Sequence, residues 1–219
     1  MGMFRARIEE AAYAYPMERC RLVRLFSNPK CPPRLLRDFG ASMVVGAELF
    51  PGKLARLFAA ATHPVLRAIL LENMFEEEGM EATPNGFEQV PGRRHATIAR
   101  KFGKAVGVTQ SDLDRAPARA RGWFEDALDQ GNWLGAFAYL NIGQEGNTPR
   151  LMIPVSNVLQ ERGIAKADLE FFDIHGKADV VHGNRSIDAA VVIATTPEQQ
   201  QIVLDAVARG AREFWELNN

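Results

Sequence analysis

The sequence predicts an all-α fold, a single bundle of about seven to eight helices. Three observations carry the helical part of that expectation. Apolar residues recur at helical spacing along nearly the whole chain, alternating strand patterns are nearly absent, and Pro and Gly fall where helices start and stop. The 219 residues fit one domain, expected over positions 1–219.

After Pro32-Pro33 a helical pattern runs from about Arg34 towards Ala60, with Pro51-Gly52 expected to kink or briefly break it. His63-Pro64 opens a second helix through Leu66, Ile69, Leu70, Met74 and Glu77. Thr83-Pro84-Asn85-Gly86 and Pro91-Gly92 read as a loop. A third helix runs from about Arg93 to Ala105, and Ser111-Asp112 reads as the cap of a short turn. A fourth covers about Ala116 to Asp129 and a fifth Trp133 to about Gln144. Thr148 is expected as an N-cap with Pro149 at the first helical position, opening a sixth helix that Pro154 kinks and Gly163 ends. The seventh runs from Ala167 to His182, and the last from Pro197 to about Leu217, with Ile202, Leu204, Val207 and Phe214 on its buried side. Ala189-Val191-Val192-Ile193 has strand-like composition but no partner strand.

Composition removes several function classes. Lys plus Arg (26) nearly balances Asp plus Glu (27), for a net charge of −1, which argues against a nucleic-acid coat or a binder of anionic membranes. Cys20 and Cys31 are too few for a disulfide scaffold or a four-cysteine zinc site. No signal-peptide core follows Met1, Ala6 breaks the myristoylation pattern, and no apolar run is long enough to span a bilayer. The expectation is a soluble cytoplasmic protein with a small-molecule substrate and no nucleic-acid or membrane partner. Apolar helix faces leave room for a homodimer.

The chemistry concentrates in the segment Phe171–His182. His175, Asp179 and His182 stand at i, i+4 and i+7, within roughly 60° of arc at about 100° per residue. Phe171, Ile174, Ala178 and Val181 make the neighbouring apolar stripe, so the polar stripe borders the buried face. Two imidazoles and a carboxylate in a core are costly unless something satisfies them. A metal ion of the iron, manganese or zinc type does so; a hydrogen-bonded structural network is the alternative. His95 heads the apolar stripe of the third helix, and Glu77 projects near the centre of the apolar face of the second, whereas Glu76 and Glu78 fall to either side. Glu145 ends the fifth helix and alone would read as an exposed acid. Together these are three carboxylates and three imidazoles on four helices, a donor set that bundles use for two-metal sites.

The pattern resembles the haem-oxygenase-like diiron oxidases, in the superfamily that holds TenA and PqqC. The residues carrying the resemblance are Asn73-Met74-Phe75-Glu76-Glu77-Glu78, then His95, then Glu145 ahead of Pro149, then the His-x3-Asp-x2-His stripe of His175, Asp179 and His182. The resemblance implies that Glu77, His95, Glu145, His175, Asp179 and His182 hold two iron ions, with manganese as the alternative metal and dioxygen as co-substrate. It implies an oxidase or oxygenase, biosynthetic in role, acting on an amino-acid-, fatty-acid- or other acid-derived molecule by N-oxygenation, desaturation or oxidative C–C cleavage. Family members place the first Glu closer to the His than Glu77 is to His95; Glu88 lies at that closer spacing, within the loop, and is the alternative first ligand. A metal-free PqqC-like oxidase, a TenA-like thiaminase using a cysteine, and a non-catalytic interaction module are the other readings.

Overall fold

Three of the long helices begin on a proline whose missing N–H costs nothing at a first turn. They are α3 (Pro33–Ala60), α4 (Pro64–Glu77) and α11 (Pro197–Asn218), the last also closed by a capping box between Thr196 and Gln199. This computed structural model describes residues 2–84, 86–116 and 122–219. Around those three helices stand α1 (Gly2–Ala12), α5 (His95–Ala105), α9 (Thr148–Glu161) and α10 (Glu170–Ile193), with shorter pieces α2 (Arg21–Ser27), α6 (Gln110–Arg115), α7 (Trp123–Asp129) and α8 (Trp133–Phe137). Among the described residues, seven helices of eleven residues or more therefore form the all-α bundle.

Between α8 and α9 the chain stays helical but changes pitch. A π-helical stretch, Ala138–Gln144, runs into a 3-10 turn, Glu145–Asn147. This segment lies so close along α11 that a Cβ on Gly143 would come within 2.8 Å of the Val207 carbonyl oxygen. Only glycine permits that approach, and it presses the irregular stretch into the core.

The apolar interior has two parts. One gathers Phe4 and Ile8 of α1, Leu66 and Leu70 of α4, Phe137, Ile142 and the inner face of α11. The other gathers Phe26, Phe39, Phe102, Leu151, Phe171 and Phe172. Phe172 is fully buried, with its ring 4.8 Å from that of Phe102, edge to face. Burying such a side chain contributes roughly 1.5–3 kcal/mol. α10 belongs to both parts, through Phe171 and Phe172 at one end and Ile187 and Ala190 at the other. Its middle carries the polar stripe.

Several sequence expectations are corrected. The segment read as a loop forms a two-stranded antiparallel hairpin, β1 (Met80–Thr83) and β2 (Gly86–Gln89), with Met80 opposite Gln89. Its residues are largely exposed, so no apolar alternation marked it; a contact between Phe75 and Phe87, 4.4 Å between centroids, ties it to α4. Pro51 does not break α3, because buried Ala47, Leu54 and Leu57 hold the helix on both sides of it. α6 is capped by Thr109 in a box with Asp112, not by Ser111. The chain enters α9 already helical from the 3-10 turn, so Thr148 is its first residue rather than its cap. The strand-like Ala189–Ile193 is the last turn of α10, which runs well past His182. Val181 and Ile202, expected on buried faces, are 55% and 39% exposed. Of the expected fourth helix, residues 117–121 lie outside the described residues; α7 begins at Trp123. Among the described residues no helix is long and apolar enough to cross a membrane.

Candidate metal centre

The π-to-3-10 change of pitch delivers Glu145 into the interior, where its carboxylate is 6% exposed. Asn73 of α4 donates to its Oε1 (2.8 Å) and Asn141 to its Oε2 (2.7 Å). Opposite it, a Cβ on Gly183 would stand 3.1 Å from the Cα of Gly146, so α10 passes this turn at backbone contact. That proximity carries Asp179 and His182 to Glu145. His182 Nδ1 lies 3.2 Å from Glu145 Oε1 and 3.4 Å from Asp179 Oδ1.

A second group of three forms one turn earlier on α10. Glu77, at the end of α4, points its Oε1 to within 3.0 Å of His95 Nδ1 and 3.8 Å of His175 Nε2. The His95 and His175 rings stand 4.7 Å apart, edge to face. His175 Nδ1–H donates to the Phe171 carbonyl (2.7 Å), which leaves Nε2 facing the group. All six residues named from the sequence are thus brought together, as Glu77–His95–His175 and Glu145–Asp179–His182, with the ligand atoms of each group within 4.8 Å of one another. Glu77 faces His95. Glu88 does not: it lies on β2 near Thr83, in a strand exposed throughout.

The electrostatics follow from burial and proximity. Burial opposes the charge on Glu77, but His175 and His95 outweigh it and hold the carboxyl down at about 2. Burial likewise pulls His175 down, while Glu77 and Asp179 lift it to about 9. For His182 the opposing pull of burial is overcome by Asp179, Glu145 and Glu76, which lift it to about 12. Burial raises Glu145, and the Asp179 charge adds to that rise.

The donor set fits a cation of the iron type. Two ligands each about 2.1 Å from one ion, at angles between a right angle and tetrahedral, lie about 3.0–3.4 Å apart. The shortest separations in each group fall in that range. Moreover, buried His95 Nδ1 has no hydrogen-bond partner: Glu77 Oε1 is at contact distance but off the hydrogen-bond direction. A cation between them would satisfy both. Four of the six residues, Glu77, Glu145, His175 and Asp179, also line a cavity of about 420 Å³. Its other walls are largely apolar, among them Leu22, Leu25, Met43, Phe50 and Leu217, interrupted by Lys53, whose ammonium pairs with Glu125 at 3.7 Å. Both cysteines are buried, and neither lines this cavity.

Two residues that hold the groups together escaped the sequence reading. Asn141 sits four positions before Glu145, a spacing that gave no signal because the helix there is not regular. Glu76, assigned to the side of its helix, places Oε2 3.0 Å from His182 Nε2.

Residues 44–218 match the model of a family described as iron-containing redox enzymes, a span that includes all six residues. No curated protein matches the sequence. Among solved structures, the chain is similar to a TenA homolog from Pseudomonas syringae pv. tomato, with a TM-score of 0.73 at 16% identity over 98% of this chain and 88% of that one. It is also similar to a domain of unknown function with a heme oxygenase-like fold from Shewanella denitrificans, with a TM-score of 0.60 at 13% identity over 99% of this chain and 88% of the other. At such identities the likeness concerns the fold.

Proposed function

Because this chain belongs to the haem-oxygenase-like family of iron-containing redox enzymes, we propose that it is a dioxygen-activating oxidase or oxygenase that binds two iron ions and oxidises a small molecule. The observation that carries the reading is the pairing of two buried groups, each mixing carboxylate and imidazole, on the wall of one apolar cavity. Glu77, His95 and His175 would hold one ion and Glu145, Asp179 and His182 the other. Iron held by these residues would supply open coordination positions and the electrons for activating dioxygen; zinc could supply the first but, being redox-silent, not the second.

The chain's own residues supply the rest. Glu77 stays ionised, and each group offers carboxylate charge against a cation. Asn73 and Asn141 fix the orientation of the Glu145 carboxylate through one oxygen each. The Phe171 carbonyl fixes the ring of His175. Because Glu77, Glu145, His175 and Asp179 face the cavity while its other walls are mostly apolar, a substrate would meet the centre with its alkyl or aryl part in the apolar section and water displaced.

The test is oxygen uptake by protein loaded anaerobically with Fe(II), Mn(II) or Zn(II) and then exposed to dioxygen, with candidate carboxylic and amino acids present. Uptake dependent on iron supports the reading. Full turnover with zinc and none with iron defeats it.

A further inference from the structure

Neutral imidazole carries one N–H, so the partner of one ring nitrogen decides what the other presents. The two histidines on the polar stripe of α10 are set in opposite senses. His175 gives Nδ1–H to a backbone carbonyl and turns Nε2 to its group. His182 turns Nδ1 to Glu145 and Asp179, and its Nε2 meets Glu76 Oε2 at 3.0 Å.

We infer that Glu76 is a positioning residue: its carboxylate, 3.0 Å from His182 Nε2, favours the proton on that nitrogen and so leaves Nδ1 as the nitrogen that His182 offers to a metal ion. The inference rests on the two-ion reading above. Its geometric basis is that Glu76 and Glu77 are consecutive at the end of α4 and serve different groups: Glu77 reaches His95 and His175, Glu76 reaches His182. One helix end therefore braces both halves of the centre. A carboxylate behind a ligating imidazole also raises its basicity, and loss of such a partner costs about tenfold to a hundredfold in metal affinity. The partner of His175 is a neutral carbonyl, so the two halves differ in this respect. The Glu76 side chain is 41% exposed, so replacing it disturbs little of the core.

The test uses the full chain. Anaerobic Fe(II) titration of wild type, Glu76→Gln and Glu76→Leu is expected to show one of two binding steps weakened about tenfold to a hundredfold in Glu76→Leu, less in Glu76→Gln, and the other step unchanged. Nitrogen-15 spectra of zinc-loaded wild type, which need no variant, are expected to show His182 with Nδ1 on the metal and Nε2 protonated. Zinc on Nε2 overturns the inference, as does a Glu76→Leu titration identical to wild type or weakened equally in both steps. Wild type binding fewer than two ions defeats the two-ion reading itself, and the inference falls with it. Wild type binding two while Glu76→Leu is unchanged overturns the inference alone.

Discussion

His95 Nδ1 and Glu77 Oε1 lie 3.0 Å apart in the interior, yet no hydrogen bond joins them. A buried ring nitrogen left without a hydrogen-bond partner beside a buried carboxylate is a place that a cation would fill. Glu77→Gln should therefore weaken one step of anaerobic Fe(II) binding by more than about a hundredfold, beyond the range for an outer partner. A titration that retains both steps at full affinity would remove Glu77 from the ligand set.

Asp179→Ala should lower iron binding far more than it lowers stability. Asp179 helps hold His182 protonated and adds to the rise of the neighbouring Glu145 carboxyl, so its removal from the metal-free chain loses an attraction but also relieves a like-charge repulsion. With an ion bound, the same change removes anionic charge from the group. Urea unfolding of the metal-free forms, run beside iron titration, separates this from a purely structural network. In such a network the orphaned histidine would cost about 1–3 kcal/mol while iron binding stayed unchanged.

The metal-free protein should lose stability as pH rises from about 6.5, the ordinary histidine value, to about 9. His175 is held protonated by Glu77 and Asp179 in the fold but not in the unfolded chain. Its contribution is thus complete below the unfolded value and lost as pH passes through the folded one. Glu77, held down at about 2, contributes in the opposite sense: fully above about 4.5, and lost only as pH falls towards 2. Urea midpoints of wild type should fall across the alkaline window more steeply than those of His175→Gln. Parallel curves would count against a charged His175.

Gly143→Val should destabilise the fold by about 1–3 kcal/mol, because its side chain would be driven into the Val207 carbonyl and α11 would have to move away from the π-helical stretch. Thermal unfolding measures this. An unchanged midpoint would show that the two segments are not held at backbone contact.

How far the site can be read in the sequence depends on local regularity. His175, Asp179 and His182 lie on an unbroken α-helix, so a period of 3.6 places them on one face. Glu77 and His95 were legible for the same reason, each belonging to the buried line of a regular helix. Glu145 follows a π-helical stretch, where that period fails, and only the family resemblance singled it out. Asn141 was invisible on the same ground. The hairpin and the N-terminal helices α1 and α2 were missed for other reasons. Both strands are four residues long and mostly solvated, and α1 buries only Phe4, Ile8 and Ala12. Val181 and Ile202 show the converse error: apolar residues placed at plausible helical spacing that face outward.

The central claim is that two groups of three residues each hold one iron ion. The most direct measurement is the number of Fe(II) ions bound per chain at equilibrium under anaerobic conditions, in wild type and in the paired variants Glu77→Gln/His175→Ala and Asp179→Ala/His182→Ala. The account predicts two ions for wild type and one for each folded double variant. One ion or none in wild type, or two retained in both variants, would contradict it.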